Sequence, residues 1–168
     1  MTELPESAED ALERMASGLI PLCDSRTVMI GVHTGGVWIA RRLHPMLGLQ
    51  APLGTIDITF YRDDFSTVGL HPQVRTSDIP VDIEDRDVLL VDDVIHTGRT
   101  VRAALNEIFS YGRPRTVRLA TLVDRGGREL PIQPDVVGLT IDLGPDRQVK
   151  LTGPDEMRLV LGSNPRAG

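Results

Sequence analysis

The segment Val88–Thr100, VLLVDDVIHTGRT, constrains this chain more than any other. Its first half is apolar and β-branched, the composition of a strand buried on both faces. Two carboxylates follow, then a small polar loop with one glycine, then the start of a helix. Two surfaces therefore adjoin at one strand end. The acids accept hydrogen bonds from hydroxyl groups. The loop N–H groups, with a helix N-terminus behind them, suit a phosphate. A ligand that offers hydroxyls and a phosphate a few ångströms apart is a sugar phosphate.

The rest of the chain supplies a scaffold for that segment. Ser7 with Asp10 resembles a capping box, and Ala8, Leu12, Met15, Leu19 and Leu22 recur at helical spacing. Val28–Val32 reads as a buried strand, His33–Gly36 as a turn, and Val37–Leu47 as a helix whose last turn Pro45 ends or kinks. Thr55–Tyr61 alternates as a strand, with Ile56, Ile58 and Phe60 on one side. Val88–Asp92 is the next strand, Thr100–Tyr111 a helix stopped by Gly112 and Pro114, and Val117–Val123 another strand. After a turn-rich loop over Asp124–Pro134, the segments Val136–Ile141, Gln148–Thr152 and Met157–Leu161 read as short strands at a sheet edge. Alternating strands and helices predict an α/β fold, a mostly parallel central sheet flanked by helices. In such sheets ligands bind beyond the carboxyl ends of the strands. Here those ends are His33–Gly36, Asp92–Arg99 and Asp124–Arg128. Residues 1–168 read as a single domain, with a flexible hood loop over 62–80 and a tail that frays over 163–168.

Composition narrows the function. No apolar run reaches the roughly 18 residues of a membrane span, and the acidic start MTELPESAEDALERM is unlike a signal peptide. A cytoplasmic protein with no membrane partner is expected. Cys23 is the only cysteine, so an internal disulfide or thiolate metal cluster is excluded. His33, His44, His71 and His96 form no helical metal pair. The net charge of −6 argues against coating nucleic acid by bulk charge. Lys150 is the sole lysine. The excess of arginine has two readings, bidentate phosphate contacts and codon bias.

An Asp-Asp pair taken alone is an ordinary solvated turn, and TGRT alone an ordinary helix start. Joined behind VLLV, they resemble the ribose-phosphate signature of the type I phosphoribosyltransferases. GVHTGGVWIARRL resembles that superfamily's pyrophosphate loop and following helix, TIDITFYRDD its strand and hood, and LVDRGGRELPIQPD its base-binding segment. Taken in order, RDD, DIPVDI, VDDV-x-x-TGRTVRAAL, GRP and LVDRG-x-RELPI are most similar to the PyrR family, pyrimidine operon regulators that also act as uracil phosphoribosyltransferases.

That resemblance implies the type I phosphoribosyltransferase fold and a reaction between phosphoribosyl pyrophosphate (PRPP) and uracil that gives UMP. It implies that Asp92 and Asp93 take the ribose hydroxyls, with Asp92, Asp93 and Arg62 as the catalytic set. The PRPP contacts are Thr34, Gly35 and Gly36 at the pyrophosphate and Val94, Ile95, His96, Thr97, Gly98, Arg99 and Thr100 around the 5-phosphate. Uracil falls to backbone groups at Val123, Asp124, Arg125 and Ile141. Mg²⁺ enters with PRPP, held mainly by substrate and water with Asp92 and Asp93 as weak ligands. Arg62 and Arg75 reach the leaving group or carry solvated loop charge. A homodimer or larger homo-oligomer is implied.

The chain departs from that family's pattern in places. The pyrophosphate loop is Thr34-Gly35-Gly36 where the family usually has Thr-Arg-Gly. Members that bind messenger RNA carry a basic N-terminal helix; this one has Glu3, Glu6, Glu9, Asp10 and Glu13 against Arg14. Gly127, Gln133 and Leu139 stand where His, Arg and Lys are usual, and Arg128 remains. RNA affinity depends on phosphate neutralisation, so weak or absent RNA binding is expected. Three other readings stand beside the enzyme. One is a UMP-sensing regulator without catalysis, and one a phosphoribosyltransferase for another base. The third is a phosphoacceptor receiver domain, which leaves TGRT unexplained and the sole Lys150 poorly placed.

Overall fold

A computed structural model describes residues 2–58 and 77–166. The N-terminal strand β1 is Thr2–Glu3, and helix α1 spans Ala8–Leu19. The Ser7 hydroxyl accepts the Asp10 N–H at 3.0 Å and caps α1. The expected stripe Ala8, Leu12, Met15 and Leu19 is buried. Leu22 does not extend it, because Pro21 diverts the chain into a 3₁₀ turn over Ile20–Leu22.

Strand β2 (Thr27–Val32) leads into helix α2 (Gly35–Met46), and β3 covers Gly54–Ile56. Strand β4 (Asp87–Ile95) leads into helix α3 (Arg99–Tyr111), followed by β5 (Thr116–Asp124) and β6 (Val136–Thr140). These five strands form one parallel sheet in the order β3-β2-β4-β5-β6. Side chains alternate across it. Met29, Leu89, Val91, Ala120 and Leu122 pack with α1 and α2 on one face. Val28, Ile30, Val88, Leu90 and Leu119 pack with α3 on the other. The expected α/β sheet covered on both faces is therefore present.

The last two strands depart from expectation. β7 (Arg147–Thr152) and β8 (Arg158–Ser163) do not extend the main sheet's edge. With β1 they form a separate antiparallel sheet, β1-β8-β7. Two-residue β1 had no periodicity to reveal it. The sheet's inward residues Val149, Leu151, Met157 and Leu159 join the core on the α1/α2 face. Ser163, placed in the frayed tail by sequence, closes β8, and Asn164 Nδ2 donates to the Pro145 carbonyl at 2.8 Å.

Most of the expected hood loop, and with it Arg62 and Arg75, lies outside the described residues, as does the end of the strand expected over Thr55–Tyr61. At the near margin Thr55 and Asp78 form an antiparallel bridge, with Thr55 N–H donating to the Asp78 carbonyl at 2.7 Å. Among the described residues no helix is long and apolar enough to cross a membrane.

Candidate active site

The chain leaves β2 through α2 toward β3 on one side, and leaves β4 through α3 toward β5 on the other. The reversal of strand order between β2 and β4 is the place where this architecture opens a crevice. The strand ladders explain what fills it. β4 stays paired with β5 through Ile95↔Asp124, but its pairing with β2 stops at Gly31↔Val91. From Asp92 onward the β2 side of β4 is vacated, and the N-terminus of α2 occupies it.

Two glycines make that approach possible. A Cβ at Gly36 would sit 2.7 Å from the Val91 carbonyl, and one at Gly35 would sit 2.2 Å from Asp93 Oδ2. Sequence reading left both in a turn before the helix; they are its first residues. The first-turn N–H groups of a helix have no partner within it, so those of α2 are presented beside the acid pair. Asp92 is buried and Asp93 half-buried. The acids are held by local bonds: Asp93 N–H donates to Asp92 Oδ1 and Val94 N–H to Asp93 Oδ1, each at 2.9 Å.

The second helix start lies after β4. Gly98 is the residue before α3 and takes φ +93°, a conformation natural to glycine. The loop leading to it is braced from behind. Arg128 Nη1 donates to the His96 carbonyl at 2.9 Å, and the N–H groups of Glu129 and Leu130 donate to the Thr97 carbonyl at 2.9 and 3.2 Å. In a planar trans peptide the N–H points opposite to the C=O. Turning the His96 and Thr97 carbonyls outward therefore turns the Thr97 and Gly98 N–H groups inward. With the α3 N-terminus those donors make the loop over Thr97–Thr100 a cup of backbone N–H groups, an arrangement an anion could use. The Arg99 side chain pairs with Glu129 at 2.8 Å, so its cation points away from the cup.

The acid pair and Thr100, at the start of α3, open on one cavity of ≈ 340 Å³, lined by His33, Thr34, Gly35, Trp38, Asp92, Asp93, Val94, Thr100, Val149, Lys150 and Leu151. Of the residues expected at the site, Thr34, Gly35, Asp92, Asp93, Val94 and Thr100 meet on its wall. Gly36, Ile95, His96, Thr97, Gly98 and Arg99 support that wall from the elements just described. Trp38 and the β7 residues Val149, Lys150 and Leu151 were missed. Only the folding of the antiparallel sheet brings β7 there, and local spacing carries no trace of it.

The residues expected to read a base are placed beside the cavity but not on its lining. Val123 is buried within β5. Asp124 Oδ2 accepts from Arg128 Nη2 at 2.7 Å and Oδ1 from the Gly126 N–H at 2.9 Å. Burial alone would raise the Asp124 pKa, but these two donors outweigh it and hold the carboxyl below its ordinary value. The Arg125 N–H is used by the Ile95 carbonyl and the Ile141 N–H by the Asp124 carbonyl. The buried Arg125 side chain bonds the Arg147 carbonyl at 2.8 Å, so it holds protein backbone. His96 packs where a Gly127 side chain would stand, its Nε2 2.7 Å from that Cβ position. Burial pushes its pKa down, and the nearby Arg125 adds to this, so the site favours the neutral imidazole.

Comparison with known proteins follows the same lines. The phosphoribosyl transferase domain model matches residues 3–156. A protein from Nitrosococcus oceani, named Bifunctional protein PyrR, is 60% identical over 136 residues, spanning 80% of this chain and 77% of its own. One of the same name from Pseudomonas aeruginosa is 54% identical over 160 residues, 93% of this chain and 94% of its own. Among solved structures, a hypoxanthine-guanine phosphoribosyltransferase from Bacillus anthracis superposes with a TM-score of 0.67 at 21% identity, covering 88% of this chain and 86% of that one, a likeness of fold. With its type I fold and these relatives, the chain belongs to the phosphoribosyltransferases and, within them, to the PyrR family.

Proposed function

We propose that this cavity transfers the phosphoribosyl group of PRPP to uracil, releasing pyrophosphate and giving UMP. One observation carries the reading: the Asp92–Asp93 pair is flanked by two helix N-termini, α2 at Gly35 and α3 behind Thr100, around one cavity. PRPP has that pattern of groups, a pentose with an anion at each end. The 5-phosphate takes the cup from Thr97 to Thr100, the ribose hydroxyls donate to Asp92 and Asp93, and the pyrophosphate takes the first turn of α2. As the bond from the anomeric carbon to pyrophosphate lengthens, positive charge develops on the sugar. A carboxylate already fixed beside the ring stabilises that charge without reorganising.

The base sits toward Val123–Arg125 and Ile141, read by backbone. Because the Arg125 and Ile141 N–H groups are committed, a backbone carbonyl of that stretch accepts the uracil N3–H, which leaves N1 to lose its proton and bond the anomeric carbon as pyrophosphate departs. Arg62, with Arg75, is assigned to the leaving group on the family resemblance.

Among the described residues no group of three or more His, Cys, Asp or Glu side chains could hold a metal. A carboxylate pair on an open wall fits Mg²⁺ that arrives with PRPP and takes most of its ligands from substrate and water. Bound there, the ion would offset the charge of the pyrophosphate. Asp92 and Asp93 are the residues to hold it.

The test is pyrophosphate release from PRPP with uracil, hypoxanthine and orotate in turn, with and without Mg²⁺. Mg²⁺-dependent turnover with uracil alone is expected. Turnover with another base instead would reassign the substrate. UMP binding without any turnover would favour a nucleotide-sensing regulator.

Weak RNA binding is part of the same reading. The N-terminal helix offers Glu9, Asp10 and Glu13, and its Arg14 is paired with Glu6. Arg42, on the neighbouring helix, is spent on Glu9. Arg128, the basic residue retained in the later segment, is tied to Asp124, His96 and Ile132. In these two segments the basic residues are engaged with the protein itself and not free to neutralise an RNA backbone. Tight, salt-sensitive binding to the leader RNA of the protein's own operon would sink this. A cytoplasmic homodimer or larger assembly completes the proposal on family resemblance.

A further inference from the structure

The cavity poses an electrostatic problem that the motifs do not solve. It must admit a ligand with charged groups at both ends, yet its wall carries two carboxylates, Asp92 and Asp93. Backbone N–H groups supply partial charge only. The residues at the α2 end, Thr34 and Gly35, bring no cation, and Gly35 has no room for one: its Cβ would meet Asp93 Oδ2 at 2.2 Å. Among the described lining residues the only side chain with a full positive charge is Lys150.

Lys150 comes from a different sheet. Its neighbours Val149 and Leu151 are buried in the core and fix the register of β7, so Lys150 lies on the solvent-accessible side of the strand. The Lys150–Val160 pairing with β8 keeps it in place. It forms no salt bridge among the described residues, whereas most arginines that border the site are committed: Arg99 to Glu129, Arg128 to Asp124, and Arg125 to backbone carbonyls. This is the sole lysine of a chain otherwise supplied with arginine. An ammonium is a compact point charge with three rotatable donors, suited to a diphosphate whose oxygens shift as it leaves.

We propose that Lys150 is the pyrophosphate-binding cation of this site. It reaches the leaving group from β7, opposite the first turn of α2. The assignment rests on the PRPP reading above and adds to it a residue from the antiparallel sheet, which thereby becomes part of the binding site.

Three variants test it: K150M, which keeps length and removes charge, K150A, and K150R. Inorganic pyrophosphate binding to the full-length protein is measured by calorimetry with Mg²⁺, beside UMP binding and the KM for PRPP and for uracil. Loss of one charge-assisted contact is expected to weaken pyrophosphate about tenfold or more in K150M and K150A. The KM for PRPP should rise in parallel, and K150R should recover most of the loss. UMP has no pyrophosphate, so its affinity and the uracil KM should stay within about twofold on the same argument. Unchanged pyrophosphate affinity in K150M overturns the proposal. So does an equal loss for UMP and pyrophosphate, which would place the ammonium at the 5-phosphate or mark a general disturbance of the wall. The two claims fail separately. A wild-type protein that binds pyrophosphate through Lys150 but does not turn over uracil keeps this inference and loses the uracil reading. A wild-type protein that does not bind pyrophosphate loses this one.

Discussion

At the scale of single residues, the site is governed by one contact, between the backbone of Gly35 and the carboxylate of Asp93. Any side chain at 35 must displace either Asp93 or the start of α2. Gly35→Ala is therefore expected to lower kcat/KM for PRPP by about 10²-fold, the usual cost of displacing a catalytic group by an ångström. The cause is identifiable through a second substitution. Asp93→Ala alone removes the carboxylate, and in its background the extra methyl at 35 meets the remaining Cβ at 3.0 Å in place of the carboxylate, a contact a small shift relieves. Steady-state kinetics on G35A, D93A and G35A/D93A should show strong non-additivity, the double variant no worse than D93A. If the two losses multiply, the glycine serves something other than Asp93. Both residues were visible in the sequence, as TGG and VDDV, because each motif is local. Their contact was not, because it depends on the β2–β4 pairing stopping at Val91, four residues before β4 reaches its own end at Ile95. Lys150 was hidden for a related reason: an isolated lysine in an alternating strand carries no mark of the cavity it borders.

Among elements, the loop between β4 and α3 owes its shape to a segment some thirty residues away. Arg128 bonds His96, Ile132 and Asp124 at once, a use of the several donors on its planar guanidinium fork. Arg128→Met should raise the KM for PRPP about tenfold through a relaxed cup, on the scale of losing one charge-assisted bond. It will also leave Asp124 unpaired and lower the melting temperature. Adding Asp124→Asn removes the stranded charge, so D124N/R128M should recover stability while the PRPP KM stays high. Recovery of both would mean that Arg128 acts only on stability. At the opposite end of β4, Asp87 accepts from Arg115 Nε at 2.9 Å and from the Thr116 hydroxyl at 2.8 Å, tying β4 to the start of β5. The Arg115 guanidinium holds its carboxyl down to about 2, against burial. An unfolded aspartate titrates near ~3.9. The stability Asp87 contributes is thus complete above that value and is lost as pH falls toward 2. Asp87→Asn should lower the melting temperature at pH 6, and the gap to wild type should close between about pH 4 and pH 2. A gap that does not change with pH would show that the carboxylate's charge is not what ties the strands. Element identity was legible from periodicity and caps. Boundaries were less so: β4 and β5 run on past their apolar cores because each continues to pair with the other.

For the whole molecule, the question is what holds the antiparallel sheet against the end of the parallel one. Arg125 follows a strand end, a position where an arginine side chain could equally serve a substrate. Its side chain is buried and instead donates to the Arg147 carbonyl at 2.8 Å, with longer bonds to Leu143 and Gly144 at 3.5 and 3.4 Å. These carbonyls belong to the approach to β7. Burial depresses the Arg125 pKa, from so high a starting point that the group stays charged, and carbonyl dipoles take the place of water around it. Its Nε is buried without a partner among the described residues, a cost accepted for the sake of the three bonds. The guanidinium is thus a tie between the tip of β5 and the entrance to β7, and so between the ribose acids and the strand that carries Lys150. Arg125→Met keeps much of the apolar stem and removes the tie. In hydrogen exchange, the amides of β7 and β8 should lose protection while those of β4 and β5 keep theirs, since the parallel sheet has its own core. The PRPP KM should rise with that loosening, because one wall of the cavity moves. If β7 keeps its protection and the uracil KM alone rises, the arginine side chain serves the base and not the tie between sheets. The composition of Arg125 and its neighbours fits either role, and only the path of the chain from Leu143 to Arg147 separates them.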